Sequence, residues 1–294
     1  MNAPAKIRLG DGTPLVTRMS AAEYHADPAP VPSLSATLGK LLLTKSPRHA
    51  WHASPRLNPD WEPKTSETFN VGRAAHRAVL GAGEDYVAIP SEILAKNGAA
   101  STSEAKAFIA AQLEAGRTPL KPDAVDEIEQ MAALARVRLA EHGVQLDPER
   151  SELCAVAEID GVWCRAMFDN VPADPRSPIW DFKTCEDASP QACLRAVINY
   201  GYDFQAEHYR AVWKAVTGEN REFGFIFQEK SAPYEVCLIK LSGQFLDLAA
   251  MRAARARKIW AECTRTNNWP GYPTGFHEID APAWLVEREM QEHC

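Results

Sequence analysis

Cysteine is scarce and poorly spaced for holding metal. The seven cysteines, Cys154, Cys164, Cys185, Cys193, Cys237, Cys263 and Cys294, form no C-x-x-C pair, and none precedes Cys154. That spacing argues against a zinc ribbon or an iron–sulfur cluster and makes a reducing compartment the simplest setting. No apolar run approaches the length of a membrane-spanning helix. The opening MNAPAKIRLGDGTPLVTR has no apolar signal-peptide core. A soluble, cytoplasmic protein with no membrane partner is expected. Positive charge is in deficit too: 32 Lys and Arg against 39 Asp and Glu leave a net charge of −7. An acidic body argues against a broadly basic nucleic-acid coat but leaves room for a basic groove. There is no internal repeat and no low-complexity linker.

What is present is enough to build a core: 46% of the 294 residues are hydrophobic. Residues 1–18 read as an irregular tail, 19–275 as a single domain and 276–294 as a C-terminal tail. The front half punctuates as helices. Ser20 caps a short one, and Ser35 and Ser46 are candidate caps for two more, split at Ser46-Pro47. ETFNVGRAAHRAVLGAG is a helix ended by glycines, with Phe69, Gly72, His76 and Leu80 on one face. Helices are expected over 103–115 and 122–142.

After Gly143 the texture changes. ELCAVAEIDGVWCRAMFDNV is two strands joined at Asp160-Gly161, a strong hairpin signal. PIWDFKT is a third strand. Two helices follow, the first opened by Ser189-Pro190, then two strands and a long helix. The expected fold is α/β, a central mixed sheet flanked by helices behind a helical N-terminal half.

The third strand poses the chemical question. Asp181 and Lys183 are two apart, so on a strand they share a face, while Phe182 turns away into the core with Ile179 or its neighbours. Buried charge is costly unless it is paired or bound to metal. Alone, D-x-K is equally well a local ion pair at a sheet edge. Asp169, twelve residues earlier at the end of the hairpin, changes the balance. Two carboxylates at neighbouring strand ends repel, and a divalent cation between them resolves the repulsion. Oxygen donors favour Mg²⁺, with Mn²⁺ as a substitute, and an adjacent lysine can serve the attacking water.

This order of residues resembles the PD-(D/E)XK nuclease superfamily. Asp181 takes the D/E position, and Phe168 stands where a proline precedes the first acid in the usual pattern. Gln205 and Tyr209, in DFQAEHY, resemble the Q-x-x-x-Y motif of the recombination-type branch, and His76 resembles its ligand histidine. MSAAEYHADPAPVPSLSATLGKLLLTKSPRHAWH together with DGVWCRAMFD…IWDFKT is similar to RecE-type (exonuclease VIII) 5′→3′ exonucleases, relatives of phage lambda exonuclease. The resemblance spans Met19 to Tyr272.

The resemblance implies a PD-(D/E)XK core in which Asp169, Asp181, His76 and the carbonyl of Phe182 bind Mg²⁺ and Lys183 serves the water. Gln205 and Tyr209 would contact the scissile strand or hold Lys183. Glu152, or alternatively Glu158, is a further acid for a second metal. Ser35 with Arg48 or Arg73 is a candidate 5′-phosphate site. It further implies double-stranded DNA ends as substrate, a homo-oligomeric ring and a single-strand annealing partner of phage-type recombination. Two alternatives stay open: an endonuclease or structure-specific nuclease, which would cut closed circular DNA, and a non-catalytic DNA-binding module. Intact Asp169, Asp181 and Lys183 weigh against the module.

Overall fold

A computed structural model describes residues 15–62, 67–83 and 85–292, the side chains of residues 15 and 67–71 excepted. The expectation for residues 1–14, and the face assigned to Phe69, therefore lie outside the described residues. In chain order the elements are β1 (Leu15–Arg18), α1 (Ala21–His25), α2 (Ala36–Thr44), α3 (Pro47–Ala53), α4 (Glu67–Leu80), β2 (Tyr86–Ala88), α5 (Ser103–Glu114), β3 (Thr118–Leu120) and α6 (Pro122–Glu141). Then come β4 (Ser151–Ile159), β5 (Val162–Asn170), β6 (Ile179–Cys185), α7 (Pro190–Tyr200), α8 (Tyr202–Thr217), β7 (Phe223–Glu229), β8 (Val236–Lys240), α9 (Gly243–Thr266) and α10 (Ala283–Glu292).

Local chemistry sets many of these boundaries. Ser20 and Glu23 form a reciprocal capping box at α1. Ser189 caps α7 ahead of Pro190, and Gly201, left-handed at φ 63°, ends α7 and opens α8. Asp160 and Gly161 both take positive φ, 53° and 73°, the two-residue turn that matches the twist of a hairpin. Ser46 precedes α3 but does not cap it. Its hydroxyl meets His49 Nδ1 at 2.7 Å, and Pro47 already removes one N–H that a cap would serve.

The main sheet has the order β1-β4-β5-β6-β7-β8, with only β6 and β7 parallel. Leu15–Arg18, expected in the irregular tail, pair antiparallel with β4. Four residues are too short a run to show a period, and their partner lies far along the chain. The junction of β5 with β6 is narrow: one residue pair, Asn170 with Trp180, joins them. The tail 276–294 contains α10, which buries no residue.

Helices cover both faces. One face packs Phe168, Ile179, Phe225 and Phe227 against α2, α8 and α9. The other packs Trp180, Phe182 and Ile226 against α4 and α6. Strand alternation thus sends Phe182 across with Trp180, while Ile179 shares the face of Asp181, contrary to the grouping expected from sequence. Two glycines permit close approach. A Cβ on Gly224 would lie 2.4 Å from the Trp180 ring, and one on Gly39 2.3 Å from Phe204. The segment before α2 is tied to β5 by a buried ion pair, Arg165 to Asp27 at 3.1 Å.

Candidate active site

The seam between β5 and β6 organises the site. Asp169 Oδ2 accepts the N–H of Phe182 at 2.7 Å. A carboxylate thus takes a backbone donor that an unbroken ladder would have satisfied. With Phe168 turned into the core beneath α8, Asp169 turns toward α4, where His76 Nδ1 lies 3.7 Å from its Oδ2. The His76 ring stands edge-on to Phe182, with centroids 5.2 Å apart.

Asp181 approaches from the α8 side and is 1% exposed. Its Oδ2 accepts from Gln205 Nε2 at 2.6 Å, and its Oδ1 is ion-paired with Lys183 without a well-aligned hydrogen bond. Lys183 Nζ also lies 4.9 Å from the centroid of the Tyr202 ring.

Burial dominates the electrostatics. It pushes the Asp169 carboxyl up to about 6, against the pull of Lys183 and the Phe182 N–H. It pushes Asp181 up to about 6 as well, with Lys183 opposing and Asp169 adding to the rise. Burial, then Lys183, lowers His76 to about 4, so its ring is neutral near pH 7. Burial also pulls on the Lys183 ammonium, but Asp181 and Asp169 outweigh it and its pKa is raised.

The structure brings Asp169, Asp181, Lys183, His76 and Gln205 into one neighbourhood. Gln205 reaches Asp181 rather than Lys183. Tyr209 is not placed against Lys183 by any contact among the described residues. It is buried against Phe168 and Phe223, at centroid distances of 5.3 and 6.1 Å. The i, i+4 spacing placed Gln205 and Tyr209 on one helix face correctly, but the longer ring fills the aromatic core.

Of the two further acids, Glu152 raises Asp169 through space, whereas Glu158 is exposed near the hairpin turn. Glu152 also holds a positive φ of 53°, a costly conformation for a non-glycine residue in a strand.

The expected phosphate cradle does not assemble. Ser35 spends its hydroxyl capping α2, accepting from Leu38 N–H at 3.3 Å. Arg48 is exposed on α3 near Gly271. Arg73 is on α4, across the sheet from both.

Sequence reasoning missed Tyr202 and Lys40. Lys40 Nζ lies 5.6 Å from the Tyr202 ring centroid. Burial and Lys183 lower its pKa to about 8, with Asp181 and Asp203 opposing. The available signal was Gly39 within an unbroken helical run, which marks a close approach by another element.

A buried and a partly buried acid, a neutral imidazole and a backbone carbonyl suit a hard divalent cation in kind, and a cation would relieve the opposed ionisation of Asp169 and Asp181. In this arrangement the donors share a neighbourhood without a common centre. Among the described residues no three His, Cys, Asp or Glu side chains are grouped to hold a metal. Asp169 is engaged by Phe182, and Asp181 by Lys183 and Gln205.

A helix-flanked mixed sheet with two acids and a lysine at one strand seam defines the PD-(D/E)XK nuclease class of fold. The family described as "PDDEXK-like domain of unknown function (DUF3799)" matches residues 40–279, and the chain belongs to that family. A crystal structure from Eubacterium rectale, described as "Putative exonuclease", matches 88% of this chain and 97% of its own, with a TM-score of 0.57 at 15% identity. That likeness is one of fold. No curated protein matches the chain. Among the described residues, no helix is long and apolar enough to cross a membrane.

Proposed function

We propose that the chain is a nuclease that hydrolyses DNA phosphodiester bonds with the help of a divalent cation, Mg²⁺ or, in its place, Mn²⁺. The carrying observation is the convergence of Asp181, Lys183 and Gln205 from one side of the β5–β6 seam with Asp169 and His76 from the other. Asp169, Asp181, His76 and the Phe182 carbonyl would hold the cation. When bound, it supplies Lewis-acid activation of water and neutralises charge at the phosphoryl group.

The chain's own groups do the rest. Gln205 fixes the Asp181 carboxylate by donating to Oδ2. Lys183, held charged by the two acids, presents N–H donors to charge developing on the phosphoryl oxygens. His76, neutral near pH 7, offers a lone pair rather than a competing charge. Tyr209 packs edge-on against Phe168 behind Asp169.

The substrate reading is an exonuclease that digests one strand of linear double-stranded DNA 5′→3′ to mononucleotides. It would supply single strands to an annealing protein and act as a ring of identical subunits. Support for polarity, ring and partner is the sequence resemblance to RecE-type enzymes.

The test is end-labelled linear DNA and closed circular DNA, each incubated with Mg²⁺ and with EDTA. Digestion of the linear form alone, abolished by EDTA, is expected. Nicking or cutting of circles would replace the exonuclease by the endonuclease reading. Intact DNA throughout would overturn both.

A further inference from the structure

Two cations around the seam have carboxylate partners among the described residues. Lys183 is paired with Asp181, and Arg252 with Asp203 at 2.5 Å. Lys40 has no ion pair among the described residues; Asp181 and Asp203 act on it only through space, each already tied to its own cation. Lys40 Nζ instead shares the Tyr202 ring with Lys183, at 5.6 and 4.9 Å from the centroid.

The placement is built into the packing. A Cβ on Gly201 would lie 3.0 Å from Lys40 Cδ, so the lysine stem runs along backbone that bears no side chain. Gly39 beside it lets α2 settle onto Phe204. A half-buried ammonium next to a second ammonium, with no counter-ion of its own, is held at a cost. An anion arriving beside Lys40 lowers that cost. Among the described residues no carboxylate forms an ion pair with Lys40, and Lys40, Lys183 and Tyr202 are all partly solvent-accessible.

We propose that Lys40 binds a backbone phosphate of the DNA strand, next to the phosphate that Lys183 serves. The proposal rests on the nuclease reading and deepens it, since it makes α2 part of the substrate-binding surface. Lys40 contributes to holding the strand rather than to activating water, so its loss should be felt in KM more than in kcat.

The test uses the full chain with Lys40→Met, which keeps the stem and removes the charge, and Lys40→Arg, which restores it. Binding of a labelled DNA duplex is measured in EDTA over a series of salt concentrations, and kcat and KM on linear DNA with Mg²⁺. For Lys40→Met the expected result is weaker binding by about 5- to 10-fold, with the slope of log K against log salt shallower by about 1. KM should rise more than kcat falls, and Lys40→Arg should recover most of the binding.

A Lys40→Met protein that matches wild type in affinity and salt slope, while wild type cleaves, overturns the Lys40 contact and leaves the nuclease reading standing. If wild type binds DNA but never cleaves it, the nuclease reading fails and the salt slope alone decides on Lys40. If wild type neither binds nor cleaves, both fail. If Lys40→Met does not fold, Lys40→Gln is measured in its place. Unfolding of both, with Lys40→Arg folded, would make the charge structural and overturn the proposal.

Discussion

Two cation–carboxylate pairs among the described residues, Arg165–Asp27 and Lys183–Asp181, are built differently. Arg165 and Asp27 tie the segment before α2 to β5, with side chains 4% and 0% exposed. Asp27 is saturated. It accepts from the N–H of Ser33 at 2.8 Å, the hydroxyl of Ser33 at 2.6 Å and the N–H of Ala29 at 3.3 Å, besides Arg165. Arg165 Nη1 also donates to the Ser33 carbonyl and hydroxyl, while its buried Nε finds no partner. Lys183 and Asp181 are also buried, but Asp181 has one aligned hydrogen bond, from Gln205, and Lys183 keeps 18% of its side chain exposed. The first pair has a carboxylate fully spent on the fold. The other keeps capacity in reserve, which is what a substrate or cation site requires.

Removing a partner from the saturated pair should give the largest effect. Asp27→Ala leaves Arg165 buried without a counter-ion and should lower stability by about 3–5 kcal/mol, read by urea unfolding. A loss under 1 kcal/mol would erase the distinction between the pairs. Next, Lys183→Ala should cut DNA hydrolysis by about 10²–10³-fold, equivalent to about 3–4 kcal/mol, while melting near wild type. Wild-type digestion by this variant would refute the assignment of β6.

The titration behaviour sharpens the contrast further. Asp181 and Asp169 have folded-state pKa values of about 6, above about 4 for an unfolded aspartate. As pH rises from 4, the unfolded chain gives up these protons first. The stability present below pH 4 is therefore lost as pH passes through 6, on the order of 1–3 kcal/mol per group without metal. Asp181→Asn should flatten that part of the pH–stability curve in EDTA, and millimolar Mg²⁺ should raise the melting temperature of wild type more than that of the variant. Identical curves for the two proteins would count against a strained acid at Asp181. The smallest effect is expected from Gln205→Leu, which keeps Asp181 and Lys183 but frees the carboxylate to rotate. Activity should fall about 5- to 10-fold, near the worth of one hydrogen bond to a charged group.

Much of the strand that carries Asp181 and Lys183 is legible in the sequence, because its signals are local. Period-2 alternation put Asp181 and Lys183 on one face, and the Asp160-Gly161 turn fixed the hairpin that delivers Asp169. Ser20 and Ser189 marked helix starts through their own side chains. What stayed hidden depends on contacts distant in sequence. Strand β1 exists only through pairing with β4. The fates of Ser35, Arg48 and Arg73 are decided by which layer each helix joins. Gln205 and Tyr209 looked equivalent by spacing, and only packing separates the one that meets an acid from the one that fills the core. Lys40 joins the seam because two glycines let helices touch, a fact of shape rather than of pattern.

The lone rung between β5 and β6 divides the sheet into two three-stranded leaves, β1-β4-β5 and β6-β7-β8. Asp169 belongs to one leaf, and Asp181 with Lys183 to the other. These three side chains thus bridge the most weakly paired line in the sheet, and a slight parting of the leaves would scatter them while each leaf stayed intact. Rising urea should silence cleavage before it melts the helices, so that the enzyme dies while still folded.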